Sequence, residues 1–412
     1  MLDLWLTIYN ITIYITIIYG AYFVVVSVLG LLNKNKSNLR NSSKRAHFAI
    51  LIPARNEEGV IANLIKSLKR LDYPNEFYDI YVIPNNCTDN TRDIAKNHKA
   101  KIIECTIPTK TKGDVLRFAF DKLKSKKEID AYIIFDADNV VHPNFLKEMN
   151  KAYQAKYRIA QGFRDAKNPN DNWLSGSYNI YYMLQNAFFY RARMGIHGNA
   201  SINGTGFMVT RKYLDDYGFD TYTLTEDLET TGLCALRGEK IVYVPDAITY
   251  DEYPTKFSDS WKQRKRWSSG MMECRRRYAG KLIKNGFKNK SFPSFDVLLV
   301  YLGPAVQIVN FITLVIATCL KIYQVELTDL FAVVFLSGII SLILSVLMSV
   351  FISILALLYT KQNILKNIKG IIFFPLFIAT WIPINLICAV KKQTKWEEIK
   401  HTRNISIQEK VN

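Results

Sequence analysis

Apolar positions divide the chain into two kinds of block, long unbroken runs and short runs set between polar clusters. The first long run covers residues 1–33, which contain no Lys or Arg and a single charge, Asp3. As a helix it is long enough to cross the roughly 30 Å of a hydrocarbon core. A cleaved leader would need a basic start and a shorter apolar core, and this run has neither. Lys34, Lys36, Arg40, Lys44 and Arg45 follow at once. The positive-inside tendency therefore places the N-terminus outside and residue 34 onward in the cytoplasm.

From Ala46 to about Tyr250 the pattern changes to short apolar runs alternating with helical stretches. Runs at 46–53, 78–83, 101–105 and 129–135 read as strands, and Val60, Ile61, Leu64, Ile65 and Leu68 fall on one face of a helix. Such βα units predict an α/β domain on a mixed, mostly parallel sheet. Each run stops at a polar cluster: Pro53 to Glu57, Pro84 to Thr91, Lys110 to Asp114, and Asp136 to Asn139. The clusters then share the carboxyl edge of the sheet, where open α/β sheets bind ligands. Thr88 or Asp89 is placed to cap the helix that follows the second run.

Periodicity weakens after 141. Asn203-Gly204-Thr205-Gly206 reads as a turn before a strand at 207–211, Thr225 to Glu229 opens a helix, and 241–245 is a further short strand. Acidic residues at a helix start are favoured by the macrodipole alone, so Glu226 and Asp227 carry no chemistry without context. Ser258 to Gly270 is compatible with a helix up to Gly270 and sets Gln263, Arg266 and Trp267 on one face. It reads equally as a basic helix on a membrane surface, with Trp261 and Trp267 at headgroup level, and as a ligand-binding face.

Three more apolar blocks follow, at about 294–320, 330–359 and 371–390. Three crossings would leave Lys391 to Trp396 outside, against the positive-inside tendency. Either 371–390, with Pro375 and Pro383, is re-entrant, or one block is not a simple span, and a cytoplasmic tail is favoured. The expected organisation is an N-terminal span at 1–33, a cytoplasmic domain at 46–255, an amphipathic interface region at 256–290, a membrane region at 294–390 and a cytoplasmic tail at 391–412, all in the cell membrane.

Charge adds one exclusion. The 412 residues hold 54 Lys and Arg against 36 Asp and Glu, a formal +18. Much of the excess lies beside apolar runs, at 34–45, 262–290 and 391–403, where anionic headgroups favour it. A lipid bilayer is the expected partner, and nucleic acid is not. The remaining positive charge suits a phosphorylated substrate. Cys87, Cys105, Cys234, Cys274, Cys319 and Cys388 form no CxxC pair and no metal-ligand spacing, so reduced thiols are expected.

Asp136 and Asp138 at a strand end can bring two carboxylates near one Mg²⁺ or Mn²⁺ whose other ligands come from a diphosphate. Asp227 is a candidate general base for an attacking hydroxyl, Arg266 a planar fork for a diphosphate, and Trp267 a flat face for a sugar ring. In this order, Pro53 to Glu57, Thr88-Asp89, Lys112-Gly113, Asp136-x-Asp138, Thr225-Glu226-Asp227 and Gln263-x-x-Arg266-Trp267 resemble the family 2 glycosyltransferases. The likeness is to the membrane-embedded processive branch of cellulose, chitin, hyaluronan and poly-N-acetylglucosamine synthases, and covers about 46–270.

The resemblance implies a GT-A type domain, a nucleotide-sugar donor, usually a UDP-sugar, and a divalent metal, Mg²⁺ or Mn²⁺. Asp138 would hold the metal, with Asp136 beside it at the diphosphate and ribose. Pro53, Ala54, Asn56, Glu57, Asn85 and Lys112 would form the donor site. Asp227, next to Glu226, would be the base of an inverting transfer. Gly204, Thr205, Gln263, Arg266 and Trp267 would line the acceptor and diphosphate site. One departure is Asn85, where most members carry an aspartate that binds uracil, so another nucleotide is possible. The small number of candidate spans is a second departure, and suggests a homodimer, an accessory subunit or a short product. The expected activity is extension of a cell-surface polysaccharide. The alternative is a non-processive enzyme adding one sugar to a lipid-linked or oligosaccharide acceptor. A transporter or anchor with a nucleotide-binding domain is a third reading, and would have no need of Asp227.

Overall fold

A computed structural model describes residues 2–33, 39–324, 336–391, 393, 403, 405 and 407–411. Helix α1 (Leu2–Leu32) precedes a soluble domain that begins with β1 (Phe48–Ala54), α2 (Ile61–Leu68) and β2 (Tyr78–Pro84). It continues through α3 (Thr91–Asn97), β3 (Lys101–Ile102), α4 (Lys112–Leu123), β4 (Ala131–Ile134), β5 (Val140–Val141) and α5 (Phe145–Gln154). Then come β6 (Ile159–Ala166), α6 (Trp173–Leu184), a π-helical stretch at Gln185–Arg191, α7 (Ala192–Gly195), β7 (Phe207–Thr210), α8 (Arg211–Tyr217), α9 (Glu226–Arg237) and β8 (Ile241–Asp251).

The eight strands form one sheet in the order β3-β2-β1-β4-β7-β6-β8-β5. β3, β2, β1 and β4 run parallel, β7 is antiparallel to both β4 and β6, and β8 is parallel to β6. Side-chain alternation builds a core on each face of this sheet. Phe48, Ile50 and Ile52 face a core built with Leu64, Leu68, Leu146 and Met149, while Ala49 and Leu51 face one built with Leu116, Ala119 and Tyr213. A strand buried on both faces reads as a continuous apolar run, as β1 does.

Local departures have visible causes. β3 is shorter than the run at 101–105, although the Ile103 and Cys105 N–H groups still donate to β2 carbonyls. β8 extends well past Pro245, because its register against β6 slips between Gly162 and Phe163, so that Val244 and Ile248 pair with consecutive residues. Asp89 rather than Thr88 organises the start of α3, accepting from the N–H and hydroxyl of Thr91.

Helix α10 (Phe257–Lys288) does not stop at Gly270. That glycine is a contact point: a Cβ there would lie 2.3 Å from Thr225 Oγ1. Nor do all its cations face a membrane surface. Arg264 is fully buried and donates to the Phe377 carbonyl (3.1 Å) and Thr380 Oγ1 (2.6 Å). It caps a helix end, because the last apolar block is broken at Thr380 into α13 (Ile368–Ala379) and α14 (Trp381–Val390).

Before these lie α11 (Phe292–Gln324) and α12 (Leu336–Tyr359). Residues 330–335 of the expected second block lie outside the described residues. Four described stretches are long and apolar enough to cross a membrane: Leu4–Leu32, Phe292–Leu320, Gly338–Tyr359 and Leu365–Val390. The fourth differs in where its ends go. Near its start Asn367 accepts from Asn179 Nδ2 of α6 (2.8 Å), and near its end the Cys388 thiol donates to the Lys265 carbonyl of α10. One end therefore rests on α6 and the other on α10. Gly176 and Gly370 let α6 and α13 touch backbone to backbone. Trp396 and Thr402 of the tail lie outside the described residues, but Arg403 Nε donates to Asp171 (2.7 Å) and Ile407 packs with Val140 and Tyr250.

α1 and α11 are tied to the soluble domain by a buried ion pair. Arg193 of α7 donates through Nε and Nη2 to Asp296 Oδ2 and Oδ1 at 2.6 and 2.9 Å, and the Tyr22 hydroxyl donates to the same carboxylate at 2.8 Å.

Candidate active site

Four strand ends and three helix starts converge on one cavity of about 310 Å³ at the carboxyl edge of the sheet. Asp136, Ala137 and Asp138 follow β4. The Asp136 N–H donates to Asn139 Oδ1 (3.2 Å) and Thr205 Oγ1 (3.1 Å), which fixes the turn. Lys112 is the first residue of α4, held by a capping box in which Thr111 and Asp114 exchange hydrogen bonds. Its Nζ donates to Asp136 Oδ1 (2.5 Å) and the Gly204 carbonyl (2.6 Å), and lies 3.8 Å from Glu226 Oε1.

Glu226 and Asp227 open α9. Asp227 Oδ1 accepts from the Leu228 N–H (2.8 Å), leaving Oδ2 over Gly204, 3.4 Å from where a Cβ would stand. Gly204 has φ +86, a conformation in which other residues are strained. Burial raises the Asp227 carboxyl above its ordinary range, against the Leu228 N–H and the Arg266 charge. Burial likewise pushes Glu226 up to about 7, against Lys112 and reinforced by Asp227. Burial also acts on Asp136, but the Lys112 ammonium outweighs it and holds that carboxyl below the usual range.

Pro53, Ala54, Glu57, Asn85, Lys112, Asp136, Asp138, Gly204, Glu226, Asp227, Gln263, Arg266 and Trp267 all line this cavity. Asn56 and Thr205 do not. Asn56 Oδ1 accepts from the Thr88 N–H (2.9 Å) and joins two strand-end loops, while Thr205 is buried with its hydroxyl on Asn139. Asn85 exchanges hydrogen bonds with the Thr109 hydroxyl at 2.7 and 2.9 Å.

The site also contains residues that sequence reasoning passed over. Arg164 of β6 and Asp251, the last residue of β8, form a buried ion pair that lines the cavity. Asn139 Nδ2 donates to Asp251 Oδ1 (2.7 Å), and the Arg164 guanidinium lies 4.1 Å from the centroid of the Tyr182 ring. Burial pushes Asp251 up to about 7, opposed by Arg164 and reinforced by Asp138 and Asp136. A charged residue late in each of two strand-like runs, 159–166 and 241–251, was the available signal. The parallel pairing that joins them was not. Tyr181, Tyr182 and Trp381 form an aromatic wall with Trp267, whose ring stacks on Tyr181 (6.4 Å, 16°) and Trp381 (6.3 Å, 23°).

One end of the cavity is thus charged and the other aromatic. The charged end suits a cation with a phosphate-bearing ligand: two carboxylates sit together, and Lys112 already places an ammonium on one of them. Among the described residues no group of three or more His, Cys, Asp or Glu could hold a metal ion. Two carboxylates alone are a partial donor set, and a metal there would take its other oxygens from another ligand.

A mixed sheet of this order with an acidic cleft at its carboxyl edge defines a GT-A type glycosyltransferase domain. Residues 45–270 match the family described as glycosyltransferase like family 2, and the chain belongs to that family. It is 29% identical over 262 residues to a beta-monoglucosyldiacylglycerol synthase of Nostoc sp., covering 62% of this chain and 54% of that protein. It is 22% identical over 275 residues to a poly-beta-1,6-N-acetyl-D-glucosamine synthase of Staphylococcus epidermidis, covering 64% and 65%. The chain therefore spans about half the length of the Nostoc relative and under two thirds of the staphylococcal one. In fold it resembles the mannosyltransferase PcManGT of Pyrobaculum calidifontis, solved with GDP-Man and Mn²⁺, with TM-score 0.64 and 16% identity over 93% of this chain and 98% of that one.

Proposed function

We propose that the protein is an inverting, metal-dependent glycosyltransferase that moves a sugar from a nucleotide donor to a growing cell-surface polysaccharide at the cytoplasmic face of the cell membrane. The observation that carries this reading is the position of Asp227, whose Oδ2 is open toward Gly204 in the same cavity as Asp136, Asp138, Lys112 and Arg266. A base, a metal-binding pair and two cations are what a single displacement at an anomeric carbon needs, with no protein nucleophile.

The nucleotide lies along Pro53, Ala54, Glu57 and Asn85, and its diphosphate between Lys112 and Arg266. A Mg²⁺ or Mn²⁺ bound by Asp138 and Asp136 would neutralise charge on the departing diphosphate. With the diphosphate bound, Lys112 transfers its contact from Asp136 toward phosphate oxygen. Asp227 accepts the proton of the acceptor hydroxyl as that oxygen attacks from the face opposite the diphosphate, and a raised carboxyl makes it a better base. Trp267 and Tyr181 hold the acceptor. UDP remains the proposed nucleotide. Asn85 offers both an acceptor and a donor to a base edge, which suits the N–H and carbonyl of uracil.

For the membrane we propose three crossings, α1, α11 and α12, with Leu365–Val390 as a re-entrant hairpin. Support comes from its two ends resting on α6 and α10, and from Arg403 and Ile407 returning to the soluble domain. The basic tail and the catalytic domain are then both cytoplasmic, as the charge pattern asks.

The Nostoc relative gives weight to a second reading, single transfer to a lipid-linked acceptor. Products made by membranes from radiolabelled UDP-glucose, UDP-N-acetylglucosamine and GDP-mannose separate the two by size. A ladder of lengths is expected, and one discrete glycolipid would establish the second reading.

A further inference from the structure

Arg164 and Asp251 are buried, charged and paired, yet no step of the proposed displacement uses either. A buried ion pair is a weak source of stability, because apolar residues of similar volume often serve as well or better. It offsets its desolvation only when further hydrogen bonds satisfy the remaining polar atoms. Among the described residues Arg164 Nε has no such partner. Stability alone does not account for the pair.

The contacts that the pair does make run to both halves of the site. On one side Asp251 Oδ1 accepts from Asn139 Nδ2 (2.7 Å), and Asn139 Oδ1 accepts from the Asp136 N–H (3.2 Å). Asp251 therefore braces the turn that carries Asp136 and Asp138. On the other side Arg164 Nη1 donates to the carbonyl of Asn203 (2.9 Å), one residue before Gly204. That loop is fastened to α9: the Ile202 N–H donates to Thr231 Oγ1 (3.0 Å), whose hydroxyl donates to the Asp227 carbonyl (2.9 Å). Thr205 joins loop and turn directly, its hydroxyl donating to Asn139 Oδ1. The bonds thus close a ring through Asn139, Asp251, Arg164, Asn203 and Thr205. One hydroxyl contact would let loop and turn swing about it, whereas a closed ring holds both. Arg164 is itself confined, with Tyr182 at 4.1 Å from its guanidinium and Tyr182 stacked on Tyr253 (5.2 Å, 14°). Buried polar networks of this kind fix what they join.

We propose that Arg164 and Asp251 are positioning residues: as a pair they hold the turn carrying Asp136 and Asp138 in register with the loop beneath Asp227, so that donor and base meet at the reacting carbon. Neither touches the substrate. This rests on the glycosyl-transfer reading above and goes beyond it by naming the residues that set the base against the donor.

The test reads transfer in membranes containing the protein, with UDP-glucose, UDP-N-acetylglucosamine and GDP-mannose as donors and Mn²⁺ present, and reads thermal unfolding in detergent. Arg164→Met and Asp251→Leu each strand a buried charge and should unfold at a lower temperature than wild type. The double variant strands none and should recover most of that loss. Its transfer should not recover. Its kcat is expected to stay about 100-fold below wild type while the donor KM moves less than about threefold, because the donor subsite is kept and only its register with Asp227 is lost. Asn139→Ala opens the same ring without disturbing either charge. It should lower kcat about tenfold with the same small change in donor KM, and it carries the test where the double variant does not fold. A double variant that regains wild-type kcat along with its unfolding temperature makes the pair purely structural and overturns the proposal. So does a kcat loss matched by an equal rise in donor KM, or a wild-type kcat in Asn139→Ala. Each of these leaves glycosyl transfer standing, whereas absence of turnover by the wild type with all three donors overturns that reading and the role of the pair with it.

Discussion

Gly270 offers a direct test of how α10 sets the start of α9. A methyl group at Gly270 would lie 2.3 Å from Thr225 Oγ1, 2.5 Å from its Cγ2 and 2.9 Å from its Cβ. Ordinary contact begins near 3.4 Å, so Gly270→Ala must drive α10 and Thr225 apart by about 1 Å. Thr225 immediately precedes Glu226 and Asp227, and that displacement reaches the proposed base. A misplacement of about 1 Å can cost on the order of 100-fold in rate. Overpacking costs about 1–3 kcal/mol, and the better helix propensity of Ala returns about 1 kcal/mol, so the net loss of stability is at most about 2 kcal/mol. The assay is transfer rate beside thermal unfolding in detergent. Gly280→Ala on the same helix is the control, because nothing stands within 4 Å of it. That variant should gain up to about 1 kcal/mol with unchanged kinetics. A Gly270→Ala enzyme that transfers at the wild-type rate would refute the coupling between α10 and Asp227.

Other substitutions probe separate parts of the structure. Asp227→Asn should keep nucleotide binding and lose transfer by at least about 100-fold, measured by calorimetry and by diphosphate release. Glu226 is raised in the fold to about 7 from 4.5. Its stability contribution is present below about pH 4.5 and is lost as pH rises through 7, and the gap corresponds to at most about 3 kcal/mol. Glu226→Gln should therefore unfold at a higher temperature than wild type at pH 8, with the advantage shrinking toward pH 5; an advantage that grows on acidification would contradict the assignment. Arg193→Met strands Asp296 in a buried setting and should cost about 3–5 kcal/mol, much of it recovered in Arg193→Met/Asp296→Leu.

How far the sequence reaches depends on the range of the interaction. β1, β2 and β4 were legible because burial on both faces writes a continuous apolar run; the polar ends of β2 and β4 marked Asn85, Asp136 and Asp138, while Lys112 follows the run at 101–105. Gln263, Arg266 and Trp267 were legible as one helix face from their spacing, and as part of a site only through the family resemblance. Nothing in the spacing marked Arg264, on the same helix, as buried, because its partners Phe377 and Thr380 lie more than a hundred residues away. Arg164 and Asp251 escaped for the same reason, since they meet only through the pairing of β6 with β8. The extension of β8 past Pro245 was hidden because proline ordinarily ends a strand, and here a register slip absorbs it. The re-entrant alternative for 371–390 came from counting charges, whereas its resting points on Asn179 and Lys265 came only from the fold.

The central claim is that Asp227, with Asp136 and Asp138, supports metal-dependent transfer from a nucleotide sugar. It is tested most directly by measuring nucleoside diphosphate released from a panel of UDP- and GDP-sugars by purified protein, with Mn²⁺ or Mg²⁺ and again after EDTA, in wild type and Asp227→Asn. The account predicts release from one donor in the wild type, only with metal, and little from the variant. Release that persists in EDTA, or at the wild-type rate from Asp227→Asn, would contradict it.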